Sequence, residues 1–190
     1  YSKNLVLSAK KQEKLNSFLN KGFPTTKDEE WKYTSLKKII TQDYYIGTTG
    51  VKINKEEISK HSLGFSKKII FVDGLLVSKP SFIGLTINSY SDFENNDLDN
   101  ILKLNYALAS HGYTISVDEN TVIEDPIEVL FLNTVENGFV QYRNLLNIGK
   151  NSQVKFVEKI QNVNCNTSLT ISSTHVNCEK NVHIEYNKIQ

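Results

Sequence analysis

Four residues near the end of the chain carry side chains that could hold a metal ion: Cys165, His175, Cys178 and His183. Soft sulfur combined with imidazole suits zinc or iron. Their spacing lacks the Cys-x-x-Cys pair of a structural zinc site, and strand alternation can send the four to different faces. Asp28-Glu29-Glu30 and Glu124-Asp125 have the residue types of acid–base pairs. Adjacent carboxylates at a helix start point in different directions, and a capping role accounts for the first set. Gly149-Lys150-Asn151 lacks both the upstream glycine and the following Ser/Thr of a phosphate-binding loop. No Gly-x-Ser-x-Gly elbow is present. His61 and His111 stand at loop positions with no evident partner, and Trp31, the only tryptophan, is expected to be a packing anchor. Catalytic, cofactor-binding and metal-ligating residues are therefore all expected to be absent.

The elements that would position these residues are strands. Thr114–Val117, Ile127–Leu132, Val140–Ile148, Gln153–Ile160, Leu169–Ser173 and Val182–Ile189 are rich in Val, Ile, Thr, Tyr and Phe, and most alternate with period two. Turn-forming stretches separate them: Asp125-Pro126, Asn137-Gly138, residues 149–152, 162–166 and 177–181. No helical period interrupts the series, so alternating α/β units are excluded. Val154, Phe156 and Lys159-Ile160-Gln161 recur as Val182, Ile184 and Lys188-Ile189-Gln190, offset by 28 residues at the start and 29 at the end. Such a period suits one coil of a β-solenoid, and it suits two hairpins of a sandwich nearly as well.

With 190 residues the chain can bury a full core in one large or two small domains. A hydrophobic content of 39% and a charged content of 23% are those of a globular protein. The net charge of +1 arises from interspersed charges and carries no footprint of nucleic-acid or anionic-membrane binding. No stretch has the length of a membrane span, and none reads as a signal peptide. The chain opens on Tyr1, contains no Met and stops inside a strand pattern at Gln190; the expectation is that its native start and end are missing. Two cysteines argue for a reducing, cytoplasmic setting and against a disulfide scaffold.

The first half reads differently. Ser8–Lys21 forms a helix with Leu15, Phe18 and Leu19 on one face, stopped by Gly22 and Pro24. Thr26 and Glu29 are spaced as a capping box for a second helix, in which Trp31, Tyr33, Leu36, Ile39 and Ile40 supply the buried anchors. Residues 43–64 have no clear period beyond a short helix. Ile69–Val72, Asp73-Gly74 and Leu75–Ser78 give the strongest hairpin signal, followed by a strand at Leu85–Tyr90. Asn96 or Asp97 is placed to cap a helix that runs through Ser110, and Gly112 to end it. The domain boundary falls near His111-Gly112, separating residues 1–111 from 112–190.

The stretch from Phe23 to Leu36 (Phe-Pro-Thr-Thr-Lys-Asp-Glu-Glu-Trp-Lys-Tyr-Thr-Ser-Leu) resembles the amino-terminal signature of the SufD-type members of the SufB/SufD family. Many members have Pro where this chain has Ser35. Phe71-Val72-Asp73-Gly74, Asn105–Ala109, Asp125-Pro126-Ile127 and Asn151-Ser152-Gln153 are also similar to family segments, so the resemblance covers most of the chain. It implies a small helical or α+β amino-terminal region followed by the first coils of a right-handed parallel β-helix, mainly β overall, with a carboxy-terminal helical domain beyond. It further implies a non-enzymatic scaffold subunit of the SUF machinery that assembles iron–sulfur clusters. Such a subunit pairs with SufB and works with the ATPase SufC, in a complex that handles iron–sulfur clusters and can carry reduced flavin. The cluster-related histidine of the family lies towards the carboxy-terminal part, and no residue here is matched to it. The other reading of a β-solenoid is a carbohydrate-active or acyl-transfer enzyme. The stacked acids of the one and the hexapeptide repeats of the other are both absent from the sequence.

Overall fold

The computed structural model describes residues 7–46, 53–81, 83–94 and 98–190. Ser8 caps helix α1 (Ala9–Lys21) by accepting from the Lys11 amide, and Gly22, at φ 73°, turns the chain out of it. Phe18 is its buried residue; Leu19, expected on the same packed face, is largely exposed.

Residues 23–40 depart from the expected capped helix. A 3₁₀ turn at Glu29–Trp31 and the single-turn helix α2 (Lys37–Ile40) take its place, and no side-chain hydrogen bond caps either. The Asp28 carboxylate instead accepts from the Thr25 amide at 2.7 Å and the Thr25 hydroxyl at 3.2 Å. This local bond offers the backbone an alternative to helix, so Thr26 and Glu29 form no capping box. Helices this short present no sustained apolar stripe. Trp31 is only partly buried, and Tyr33 is 92% exposed.

Strand β1 (Tyr45–Ile46) and helix α3 (Lys55–His61), capped by Asn54, come next. β2 (Lys67–Val72) and β3 (Leu75–Ser78) form the expected hairpin, with Asp73 and Gly74 at φ 46° and 92° as a tight hairpin turn requires. After β4 (Leu85–Ser89), helix α4 (Asn100–Leu108) is capped by Asp99, whose side chain accepts from the Leu102 amide at 2.7 Å. The expected caps Asn96 and Asp97 lie outside the described residues. The helix stops short of Ser110 because Ala109 turns to an extended conformation.

Six strands follow: β5 (Tyr113–Val117), β6 (Ile127–Asn133), β7 (Gly138–Ile148), β8 (Gln153–Asn162), β9 (Ser168–Cys178) and β10 (His183–Ile189). They alternate between two sheets. β5, β7 and β9 pair in parallel in one, and β6, β8 and β10 in the other. The fold is mainly β and both sheets are mixed, because β4 joins β5 and β3 joins β2 in antiparallel fashion. Gly138 lies opposite Ser168 and Gln153 opposite His183, a step of thirty residues in each case. The repeat visible in the sequence therefore understates the true step between β8 and β10, by two residues at its start and by one at its end. A shift of two leaves every side chain on its own face, so apolar matching alone does not reveal it.

Asparagine makes the corners. Asn120, Asn151 and Asn181 all adopt φ near +58°, which asparagine tolerates better than other side chains. They stack with amide bonds of 2.9 and 3.0 Å. Between the sheets, Phe71, Phe131 and Tyr142 pack ring on ring, with centroids 4.8 Å apart for the first pair and 4.2 Å for the second. Helix α3 covers one outer face: Ile53 and Ile58 pack on Ile70, Val72, Leu130 and Leu132. β2 and β6 are thus buried on both faces, which explains their unbroken apolar runs. Helix α4 lies over the outer face of the other sheet, where the Asn105 amide donates to the Tyr142 and Ile171 carbonyls.

Candidate functional site in the terminal strand layer

Alternation along β8 sends Val154, Phe156, Glu158 and Ile160 inward. Glu158 breaks that apolar series and is completely buried. Its carboxylate accepts from Lys188 at 2.9 Å, from the Ser172 hydroxyl at 3.3 Å and from the Tyr186 hydroxyl. Thr174 and Tyr186 share a further hydroxyl contact of 3.1 Å. Burial, reinforced by the neighbouring carboxylate, holds the Tyr186 phenol well above its ordinary range, so it stays protonated and donates. A carboxylate held by an ammonium and two hydroxyls is a paired acceptor and is poorly disposed to act as a base. The arrangement ties β9 and β10 to the layer beneath.

That layer is also one-sided. Among the described residues β9 pairs with β7 only and β10 with β8 only, so each leaves a row of backbone N–H and C=O groups along its other edge. Inward-facing Ile184 and Tyr186 are only partly buried. Free edges with alternating side chains are the usual substrate for strand addition.

The four residues first considered for metal binding are dispersed. The Cys165 thiol donates to the Asn133 carbonyl, and burial raises it above the ordinary thiol range. Cys178 is exposed at the end of β9. His175 lies 6.0 Å from the Phe93 ring, and His183 approaches Glu185 at 3.6 Å on the surface. Among the described residues no group of three His, Cys, Asp or Glu side chains is placed to hold a metal ion. His61 pairs with Glu57 at 3.3 Å. His111 sits against Gly74, accepts from or donates to Ser110 at 2.9 Å, and is held below its ordinary value by burial. Asp28 closes its local turn while Glu29 and Glu30 are exposed; Asp125 pairs with Lys67 at 2.6 Å, and Glu124 is exposed. Lys150 pairs with Glu119 at 2.8 Å, and Asn151 belongs to the corner stack.

Three buried charges escaped the reading of the sequence. Besides Glu158, they are Glu128, which accepts from Ser62 and the Leu63 amide at 2.8 Å each, and Arg143. The Arg143 guanidinium lies between the Phe93 and Tyr106 rings, 4.3 and 4.6 Å from their centroids. The available signal for Glu158 was a charge at an inward position of a strand, matched by Lys188 at an inward position of the next strand of the same sheet.

The architecture defines a mainly β protein of stacked strand layers, the last of which is paired on one side. Residues 2–63 match the SufBD protein N-terminal region. The chain is also similar to a protein of Escherichia coli (strain K12) named "Iron-sulfur cluster assembly protein SufD", with 24% identity over 199 residues, covering 96% of this chain and 46% of the relative. It therefore spans about half the length of that relative. The similarity to the SufB/SufD family thus rests on residues 2–63 and on that relative. Among the described residues no helix is long and apolar enough to cross a membrane.

Proposed function

We propose that this chain is part of a non-enzymatic scaffold subunit of a cytoplasmic iron–sulfur cluster assembly complex, pairing with SufB and working with the ATPase SufC. The observation that carries the reading is the match of residues 2–63 to the SufBD protein N-terminal region; among the described residues the two strands of the terminal layer are each paired on one edge only. Such edges recruit further strands, whether from the same subunit or from a partner. The alternation of parallel strands between two sheets supports reading residues 112–190 as the first coils of a right-handed parallel β-helix, with residues 1–111 as the amino-terminal region that starts it. Clusters and reduced flavin are then handled by the complex, with no resident cofactor on this segment. Co-purification tests the reading. The 190-residue chain should associate with SufB or with itself and fail to retain SufC, whereas a chain of full family length should retain both partners. Firm SufC binding by the 190-residue chain would contradict the layout, and failure of the full-length chain to hold SufB would contradict the function.

A further inference from the structure

The strands β8 and β10 have two plausible ways to pair. In the observed register Val154 meets Ile184, Phe156 meets Tyr186 and Glu158 meets Lys188. Slipping β10 by two residues would set Val182 against Val154 and Ile184 against Phe156, the match suggested by the repeat in the sequence. Both registers keep the same side chains facing inward, and both set apolar on apolar at the first two positions. They differ at Glu158. The slipped register would face the carboxylate with Tyr186 and set Lys188 against Ile160, separating a buried charge from its partner. The slip would shorten the corner before β10 by two residues, which the exposed Asn177 and Cys178 at the end of β9 would supply by leaving their pairing with Asn147 and Ile148.

We propose that the pair formed by the buried Glu158 carboxylate and Lys188, which reaches it from the open side of β10, selects the register in which β10 docks on β8, rejecting the two-residue slip that the chain's own repeat would accept. Buried ion pairs add little net stability relative to apolar replacements, because desolvation offsets their attraction; fixing a register is the role best suited to them. The Asn181–Asn151 bond at the corner favours the same register, and mutation separates the two devices.

Disulfide trapping reads the register directly. Lys155 and Glu185 are outward-facing partners, whereas Lys155 and His183 would be partners in the slipped form. Neighbouring strands about 4.8 Å apart permit a disulfide, and a two-residue displacement widens the gap to roughly 8 Å, beyond its reach. With Cys165 and Cys178 replaced by Ser, Lys155→Cys is combined with Glu185→Cys or with His183→Cys, and the oxidised products are located by peptide mass mapping. With the ion pair intact, the 155–185 link should form and the 155–183 link should not. In a Glu158→Leu, Lys188→Met background the proportion of 155–183 product should rise about tenfold or more. Exchanging Tyr186→Lys with Lys188→Tyr moves the ammonium by two residues and should make 155–183 the main product. Should the apolar variant fail to fold, the exchanged variant, which keeps an ammonium for the Glu158 carboxylate, decides alone. Retention of the 155–185 link alone in every folded variant would overturn the proposal and leave the asparagine corner as the register device.

Discussion

The first and last layers of the stack are built from the same kind of strand and differ in everything around them. β2 lies between an antiparallel hairpin partner and β6, has helix α3 over its outer face, and buries Ile69 and Phe71 completely. Among the described residues β10 pairs with β8 alone, and its inward Ile184 and Tyr186 stay partly exposed although their chemistry is that of a core. The inner face changes too: Val140 and Tyr142 on β7 give way to Thr170 and Ser172 at the paired positions of β9. Burial in a stacked fold is thus conferred by the neighbouring layer, and a strand's own sequence is only half of its stability.

The sharpest way to break this comparison is to damage the enclosed end. Phe131 stacks on Phe71 and Tyr142 with no exposed surface, so Phe131→Ala should cost about 3–5 kcal/mol. Chemical denaturation measures it, and a loss below that range would mean the first layers are packed no better than the last.

Releasing the cover of that end should cost less. Glu128→Ala removes the buried, charged acceptor for Ser62 and the Leu63 amide, and the loss of these two partly buried hydrogen bonds should cost about 1–3 kcal/mol. Faster amide exchange across α3, with β8 unaffected, would locate the damage where the hydrogen bonds place it.

Smaller still is the effect at Trp31. Because its ring is only partly buried on a 3₁₀ turn, Trp31→Ala should shift stability by about 1 kcal/mol or less. A loss comparable with that of Phe131→Ala would show that residues 29–31 belong to the enclosed end after all.

The mildest perturbation is acid acting on His111, whose imidazole lies against the Gly74 turn. Burial lowers its folded value below the ordinary 6.5, so between the two values the unfolded chain binds a proton that the folded chain does not. The contribution is complete above 6.5 and declines as the pH falls towards the folded value. His111→Gln should flatten that decline; an unchanged pH profile would assign it to other groups.

Period-two alternation between asparagine-rich turns made the strands of residues 113–190 legible, and Asp73-Gly74 made the hairpin legible, because both depend on local backbone preferences. Register was not legible, since a two-residue shift preserves every face. Trp31 was misread because its burial depends on what packs against it, which local propensity does not encode. Glu158 was overlooked for the opposite reason: a charge suggests solvent, and only the thirty-residue step shows Lys188 reaching its buried carboxylate. The dispersal of Cys165, His175, Cys178 and His183 likewise follows from strand positions that spacing alone does not supply.

The most direct measurement of the account is amide hydrogen exchange, strand by strand, on the chain alone and with SufB added. Alone, β6 and β8 should exchange only through global unfolding, while β9 and β10 exchange faster through local opening. On addition of SufB, protection should rise selectively in β9 and β10. Equal protection of β8 and β10 in the isolated chain, or protection gained in residues 23–46 and nowhere in β9 or β10, would contradict it.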